Sequence, residues 1–172
     1  DQATTDAAIE VADYVAARLP QLAGVAADAK DADARLRDFC RRFTERAFRR
    51  PLDDDQKRLF VDRQFDAAAD REIAVKRSLL LTLKSPRFLF REVVGDARDP
   101  YNVAARIAFG LWDSLPDEVL LQAAAAGTLA TREQVAAQAE RMLPDLRTRA
   151  KLRAYFLQWL KVDAMSDLAK DP

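Results

Sequence analysis

The chain of 172 residues contains no histidine. Histidine is the side chain that most often serves as a general base or a metal ligand near neutral pH. Its absence therefore excludes Ser–His and Cys–His nucleophilic mechanisms, most metal sites and histidine-ligated haem within this chain. Cysteine is almost as rare, because Cys40 stands alone. A single cysteine cannot form an internal disulfide or a Cys-x-x-Cys cluster, and it does not report the redox compartment.

Long apolar runs and an excess of charge of one sign are also missing, and glycine is scarce. Apolar runs such as Leu79–Leu83 are far shorter than the ~20 residues needed to cross a bilayer, which predicts no membrane span. Only four glycines occur, which favours helices over strands and argues against disorder. Lysine plus arginine and aspartate plus glutamate number 28 each. A nucleic-acid-binding domain usually carries a basic excess, so nucleic acid is disfavoured as a partner.

Apolar residues make up 49% of the chain, and many recur with the spacing of an amphipathic helix. In the segment 33–48, Leu36, Phe39, Cys40 and Phe43 lie at positions i, i+3, i+4 and i+7, which is the pattern of one buried helix face. No segment alternates with period two for more than a few residues. These patterns predict an all-α fold, an irregular bundle of about eight helices with short connections and no β-sheet.

Prolines and capping residues mark the predicted helix ends. Asp53 with Gln56 and Thr131 with Gln134 resemble capping boxes, and Gly127 stands where a helix commonly ends. The predicted helices cover residues 5–19, 33–48, 54–69, 71–84, 100–112, 114–127, 131–144 and 146–161. Residues 21–32 are small and weakly patterned, which predicts a linker or mobile loop.

Each predicted helix also has an expected cap or buried face. Thr5 and Ser114 are expected to cap the helices that follow them. Trp112 and Trp159 lie beside leucines at helical spacing, which predicts core residues instead of the lining of a ligand pocket. Cys40 is expected to be a small buried hydrophobe and not a nucleophile. The apolar side chains expected on buried faces include Val11, Tyr14, Val15, Leu59, Phe60, Ile73, Val75, Leu79, Val135, Met142, Leu143, Leu152, Tyr155, Phe156 and Leu160.

Arginine is concentrated between residues 35 and 50. The candidate interaction surface consists of Arg35, Arg41, Arg42, Arg46, Arg49 and Arg50. One interpretation is a surface that binds phosphate or acidic groups of an anionic polymer. The other is a solvated helix face whose arginines pair with Asp38, Glu45 and the acidic residues 53–55. The zero net charge and the interleaved phenylalanines favour the second interpretation.

Carboxylates suggest two further sites. The acidic residues 53–55 could suit a hard cation, but consecutive residues at a helix start do not converge on one point, so we expect capping there. A candidate interdomain cleft consists of Arg106, Asp113, Asp117 and Glu118. These four side chains would supply half of an active site completed by other domains. The sequence assigns no catalytic, cofactor-binding or metal-ligating residue.

Several stretches of the chain resemble a known pair of families. They are Phe43–Leu52 (FTERAFRRPL), Leu83–Glu92 (LKSPRFLFRE), Ala105–Leu121 (ARIAFGLWDSLPDEVLL) and Phe156–Leu160 (FLQWL). In this order they are similar to the domain-of-unknown-function families numbered 1595 and 1592, which occur side by side in large exported proteins of planctomycetes and myxobacteria. The first resemblance covers residues 36–95, and the second begins near residue 99.

The resemblance implies an extracytoplasmic location, periplasmic or at the cell surface. Proteins of this kind often carry a c-type haem module and sometimes carbohydrate-binding modules. The haem attachment motif Cys-x-x-Cys-His does not occur in this sequence, so no cofactor is expected in this segment and any haem would be held elsewhere in the parent protein. The families offer no established catalytic residues that could be transferred to this chain.

Together these observations predict three segments and one leading function. The segments are an N-terminal helix and linker over 1–32, a helical subdomain over 33–98, and a second over 99–172, with both ends expected to be cuts within a longer polypeptide. The leading hypothesis is a non-catalytic helical scaffold or interaction segment of a larger exported, cytochrome-c-linked bacterial protein. Its partners would be other domains of the same polypeptide, or a protein or polysaccharide.

Two alternatives stay open. One is a share in the interdomain active site of a redox or polysaccharide-processing enzyme, completed by missing domains. The other is anionic-polymer binding through the face formed by residues 35–50.

Overall fold

A computed structural model of the protein describes residues 2–24, 29–90 and 96–161. Every regular element in these residues is helical and none is a strand, which confirms the predicted all-α class. The chain divides into two compact units, Asp1–Val94 and Gly95–Pro172. Residues 25–28 of the predicted linker lie outside the described residues.

The first unit is built around helix α6. Its helices are α1 (Gln2–Ala16), α2 (Leu19–Leu22), α3 (Ala32–Phe48), α4 (Asp54–Lys57), α5 (Arg63–Asp66), α6 (Arg71–Leu83) and α7 (Pro86–Leu89), with a π-helical turn, Arg58–Asp62, joining α4 to α5. Helix α6 packs against both α1 and α3. The core of this unit includes Val15, Leu36, Cys40, Phe48, Phe60, Val61, Phe65, Val75 and Leu79.

Helix α1 differs from its prediction in start and in buried face. It begins at Gln2, so Thr5 lies inside the helix and is not its cap. Val11 and Tyr14 are exposed, and the buried residues are instead Ala8, Ala12, Val15 and Ala16. Small side chains let this helix approach α6 closely, so the alanines decide the packing face. Proline at position 20 does not stop helix formation. It lies in the first turn of α2, where its missing N–H is tolerated.

Helix α3 and the helix start after it agree with the prediction. Helix α3 covers Ala32–Phe48 and ends at Arg49, whose φ of 62° is left-handed. The Asp53 side chain accepts a 2.8 Å hydrogen bond from the backbone N–H of Gln56. The Gln56 side chain in turn accepts one from the N–H of Asp53, so the predicted capping box is present.

The π-helical turn corrects the predicted buried face of the third helix. Leu59 is exposed, while Phe60, Val61 and Phe65 are buried. The N–H of Arg63 donates to the carbonyl oxygen of Arg58, five residues back. The extra residue in this turn brings Phe60 and Phe65, five positions apart, onto one face, which a regular α-helix would not do.

Helix α6 buries hydroxyl groups that the sequence reading did not assign to the core. Ile73 is exposed, whereas Ser78 and Thr82 are fully buried beside Val75 and Leu79. The Thr44 and Thr82 hydroxyl oxygens lie 2.9 Å apart, joining α3 to α6. Because one of these two hydroxyls donates to the other, the accepting hydroxyl is the one that donates to a carbonyl of its own helix, that of Cys40 for Thr44 or of Ser78 for Thr82. The Ser78 hydroxyl donates to the carbonyl oxygen of Phe60. Because these polar groups are all satisfied, burying them does not carry the usual desolvation penalty.

The second unit is built around helix α8. It contains α8 (Pro100–Trp112), α9 (Glu118–Ala125), α10 (Arg132–Met142) and α11 (Leu146–Trp159), and α8 packs against the other three. Its core includes Ala104, Ala108, Trp112, Leu120, Ala124, Leu129 and Met142. Leu143, predicted to point inward, is exposed. None of the helices in the described part of the chain is long and apolar enough to cross a membrane.

Caps in the second unit follow the sequence with one exception. Thr131 and Gln134 form the predicted capping box. Gly127, with a φ of 70°, ends α9 as predicted, and the adjacent Thr128 N–H donates to the carbonyl oxygen of Ala123 at 2.9 Å. The cap of α9 is Asp117 and not Ser114, because the Asp117 carboxylate accepts from the N–H of the third helical residue. Ser114 lies too far before the first turn of α9 to reach it.

Candidate functional site

The arginine-rich surface of α3 is largely neutralised by its own carboxylates. Arg35 pairs with Asp31 at 2.8 Å, and Arg42 pairs with Asp38 at 3.0 Å. Arg41 pairs both with Asp38 and with Glu45. The hydrogen bond from Arg41 lowers the pKa of Asp38, which keeps that carboxylate ionised opposite the two arginines. This pairing matches the solvated-face interpretation and lowers the net positive charge of this surface.

Arg49 was predicted to be part of the candidate interaction surface, and the structure corrects this. Its side chain is 7% exposed, and its guanidinium donates to three backbone carbonyls. The acceptors are Ala47 at 3.2 Å, Arg87 at 2.7 Å and Phe90 at 3.1 Å. Burial lowers the pKa of Arg49, yet the carbonyl groups at the ends of α3 and α7 carry the partial negative charge that holds a cation. Arg49 therefore joins two helix ends.

The remaining two arginines of the candidate set differ in exposure. Arg46 is exposed, and Arg50 is half-buried. The structure thus places Arg35, Arg41, Arg42 and Arg46 on the outside of the first unit, with three of the four in ion pairs. Polyanion binding through residues 35–50 stays a prediction. The ion pairs make the net positive charge of this surface lower than the sequence implied.

Trp112 in the second unit lies close to two arginines. It is 5% exposed, as predicted for a core residue, and its indole N–H donates to the carbonyl oxygen of Met142 at 3.2 Å. The guanidinium carbon of Arg147 lies 3.6 Å from the ring centroid, and that of Arg141 lies 5.8 Å from it. Each cation is also paired, Arg147 with Asp145 at 2.7 Å. This arrangement holds α8, α10 and α11 together.

The four residues of the candidate interdomain cleft each have a partner inside the second unit. Asp117 accepts two hydrogen bonds from the Arg141 guanidinium, at 2.8 and 3.1 Å. Burial acts to raise the pKa of Asp117, but the hydrogen bonds from Arg141 and from the N–H of Leu120 outweigh it and lower the pKa. The other pairs are Asp113 with Lys151, Glu118 with Gln122, and Arg106 with the carbonyl oxygen of Ala97. A role in a cleft shared with another domain stays a prediction.

No metal centre is evident in the residues that the structure describes. Within residues 2–24, 29–90 and 96–161, no three Cys, Asp or Glu side chains converge as metal ligands would. Of the acidic residues 53–55, Asp53 caps α4, while Asp54 pairs with Lys57 at 3.1 Å and Asp55 with Arg58 at 3.6 Å.

An open groove between α8 and α10 was not found by the sequence reading. Its volume is about 620 Å³. Val103, Ile107, Leu129 and Val135 form an apolar floor, and Arg98, Arg106 and Arg132 stand at the rim. These residues come from three separate segments, so no local motif could have shown that they meet.

The C-terminal half of α11 carries an exposed apolar surface, which corrects the predicted core there. Trp159 is 65% exposed and Tyr155 is 56% exposed. Their rings are nearly parallel, with centroids 6.5 Å apart. The surface, called the aromatic face below, consists of Leu152, Tyr155, Phe156, Trp159 and Leu160, all exposed.

The reason for this exposure lies in how α11 meets α8. Thr148 is buried and donates to the carbonyl oxygen of Met142 at 2.8 Å. Lys151 donates to the carbonyl oxygen of Phe109 at 3.4 Å. Between residues 152 and 161 only Leu157 is even half-buried. The helix therefore extends past the core of its unit, and the described residues of that unit leave most of its last turns exposed.

The second half of the chain matches a known family. Residues 99–172 match the family described as Protein of unknown function (DUF1592). This confirms the resemblance of the second half, while the resemblance of residues 36–95 to the family numbered 1595 stays a prediction. No curated protein and no solved structure matches the chain.

Proposed function

We propose that this chain is a non-catalytic helical interaction segment of a larger polypeptide, and that it packs against another domain of that polypeptide through the aromatic face of α11. The proposal includes an exported, cytochrome-c-linked parent protein of bacterial origin, as the family resemblance implies. The single observation that carries it is the exposure of five large apolar side chains in the last turns of one helix. Contiguous apolar surface of this kind marks interaction sites.

The composition of the aromatic face supports a protein surface as its partner. Trp, Tyr and Phe are enriched at the centres of protein interfaces, where they fill pockets on the partner. A helix end with few neighbours is only marginally stable by itself in water, so docking would also stabilise these turns. Many carboxylates and arginines elsewhere in the described residues are engaged in helix caps and local ion pairs, which supports a structural role for them.

The test is site-specific photocrosslinking in the larger polypeptide that the proposal requires. A benzophenone amino acid is placed at position 159, and a matched control carries it at position 140, an exposed site on α10. After irradiation, peptide mass spectrometry identifies the partner segments. We expect position 159 to link to a segment of the same polypeptide outside these 172 residues, and position 140 to give several-fold less product.

Three outcomes would overturn the proposal. Equal crosslinking at the two positions would show that the aromatic face has no partner. A gene product that ends with this chain would leave no domain for it to bind. Stoichiometric haem binding or substrate turnover by the isolated chain would remove the non-catalytic role.

Export and the cytochrome link need a separate measurement. Cells that produce the native protein are fractionated, and the fractions are probed with an antibody against this chain and with a haem stain. We expect both signals at one molecular mass in the extracytoplasmic fraction. A cytoplasmic signal without haem would contradict this part of the proposal and leave the interaction surface unaffected.

A further inference from the structure

The groove between α8 and α10 combines an apolar floor with a cationic rim. The floor is made of the branched side chains Val103, Ile107 and Val135 together with Leu129, which is buried. Such side chains offer no hydrogen bonds, so the floor favours an apolar body. The volume of about 620 Å³ falls within the range of roughly 300–1,000 Å³ that is common for small-molecule sites.

The three arginines of the rim take part in none of the ion pairs within the described part of the chain. Among the described residues, Arg98, Arg106 and Arg132 have no carboxylate oxygen within ion-pair distance, and the lining of the groove contains no acidic side chain. Elsewhere in the same unit, Arg141 and Arg147 are both paired. Arg106 donates one bond to the carbonyl oxygen of Ala97, which leaves most of its five N–H donors available.

The nearest acidic residues in the sequence are occupied by backbone groups. Asp96 accepts from the N–H of Arg98 at 2.9 Å. Asp99 caps α8 by accepting from the N–H groups of Tyr101 and Asn102. The pKa of Glu133 is lowered by a hydrogen bond from its own backbone N–H and by one from Thr131. These carboxylates therefore accept hydrogen bonds from backbone groups of their own turns.

We propose that this groove binds a small amphiphilic carboxylate, a molecule with one carboxylate joined to an alkyl chain or an aromatic ring. A guanidinium group presents two parallel N–H donors to a carboxylate, which gives short charge-assisted bonds. The apolar body would lie along Val103, Ile107 and Val135 and remove them from water. An inorganic anion would use the rim alone, and a neutral hydrocarbon would use the floor alone.

The test compares octanoate with octan-1-ol, which has the same chain length and no charge. Both are titrated into the ¹⁵N-labelled 172-residue chain, and backbone amide shifts are followed by NMR. We expect octanoate to shift amides of residues 103–107 and 129–135 and to bind about tenfold more tightly than octan-1-ol. Sodium sulfate serves as the anion without an apolar body and should bind more weakly than octanoate.

Single-residue variants then assign the carboxylate to the rim. Arg106→Gln and Arg132→Gln should each weaken octanoate binding by roughly three- to tenfold. The matched control is Arg153→Gln, an exposed arginine of α11, which should leave the Kd unchanged. Far-UV circular dichroism checks that each variant keeps its helix content, since all three side chains are on the surface.

The proposal fails on any of three results. Octanoate that shifts no amide of the groove, or only amides of α11, would show that the site does not exist. Equal affinities for octanoate and octan-1-ol would show that the carboxylate does not contribute to binding. If Arg153→Gln weakened octanoate binding as much as Arg106→Gln, the binding would depend on the overall charge of the chain and not on the rim of the groove.

Discussion

The hydroxyl of Ser78 donates a 2.7 Å hydrogen bond to the carbonyl oxygen of Phe60. Both residues are buried, Ser78 in the middle of α6 and Phe60 inside the π-helical turn. A π-helical turn disturbs the regular i to i+4 pairing, so its carbonyl groups need other donors. The neighbouring carbonyl of Leu59 has a similar solution, since it accepts from the side-chain amide of Gln64 at 2.9 Å. Ser78 thus allows the irregular turn to pack against α6.

Replacing this serine tests that relationship. Ser78→Ala would leave the buried Phe60 carbonyl without this donor, so we expect a loss of about 1–3 kcal/mol in the free energy of unfolding. Urea unfolding followed by circular dichroism measures it. Ser114→Ala is the matched control, because no hydrogen bond of the Ser114 side chain occurs among the described residues, and it should change stability by less than about 0.5 kcal/mol. Equal effects of the two substitutions would contradict the assigned role.

The π-helical turn also shows where sequence reasoning stops. The helix start at Asp53 was predictable because a capping box is a local pattern four residues long. The burial of Val61 in place of Leu59 was not predictable, because it depends on the register change that the π-helical turn introduces. Ser78, which is distant in sequence, stabilises that turn. Local chemistry sets the helix ends, and tertiary packing sets the faces.

The aromatic face shows a second limit of the same kind. Tyr155, Phe156 and Trp159 lie at a spacing that predicts a buried face, and the periodicity itself is real. Burial also requires a neighbouring element, and periodicity carries no information about which element that is. The groove between α8 and α10 was missed for the same reason, since Arg98, Arg106 and Arg132 meet only after folding.

Arg147 is expected to stabilise the second unit through Trp112. Its guanidinium stacks 3.6 Å from the centroid of an indole that is almost fully buried. Arg147→Gln should lower the free energy of unfolding by roughly 0.5–2 kcal/mol and shift the tryptophan emission, because the ring loses its cover. The control is Arg149→Gln on the same helix, an exposed arginine, which should change neither quantity. Unchanged emission from the Arg147 variant would exclude the stacking.

The carboxyl of Asp145 should titrate well below its ordinary range. Hydrogen bonds from the Arg147 side chain, and then from the Arg147 backbone N–H, lower the pKa of Asp145 from 3.8 to about 2. The folded state therefore binds this proton more weakly than the unfolded chain does. The stabilisation from the ionised carboxylate is fully present above pH 4 or so, and it is lost as the pH falls towards about 2.

Carbon-detected NMR of the Asp145 carboxyl measures this directly. We expect a midpoint near 2 in the native chain and a rise towards 3.8 in Arg147→Gln. Arg149→Gln should leave the midpoint in place. A native midpoint near 3.8 would mean that the ion pair with Arg147 does not persist in solution.

Cys40 should be inert to thiol reagents as long as the first unit is folded. Its side chain is fully buried, and burial raises the pKa of the thiol to about 12. The thiolate is the reactive form, so at pH 8 the native chain should react with Ellman's reagent only when the unit opens. In concentrated urea, one equivalent should react at once, because this is the sole cysteine.

The same reaction links Cys40 to the core around Ser78. If labelling follows opening of the unit, its rate scales with the population of the open form. Ser78→Ala, with an expected loss of about 1–3 kcal/mol, should then accelerate labelling by roughly 5- to 150-fold, while Ser114→Ala leaves the rate unchanged. Fast labelling of the native chain, at a rate that does not respond to Ser78→Ala, would show that the thiol is reached without opening the core.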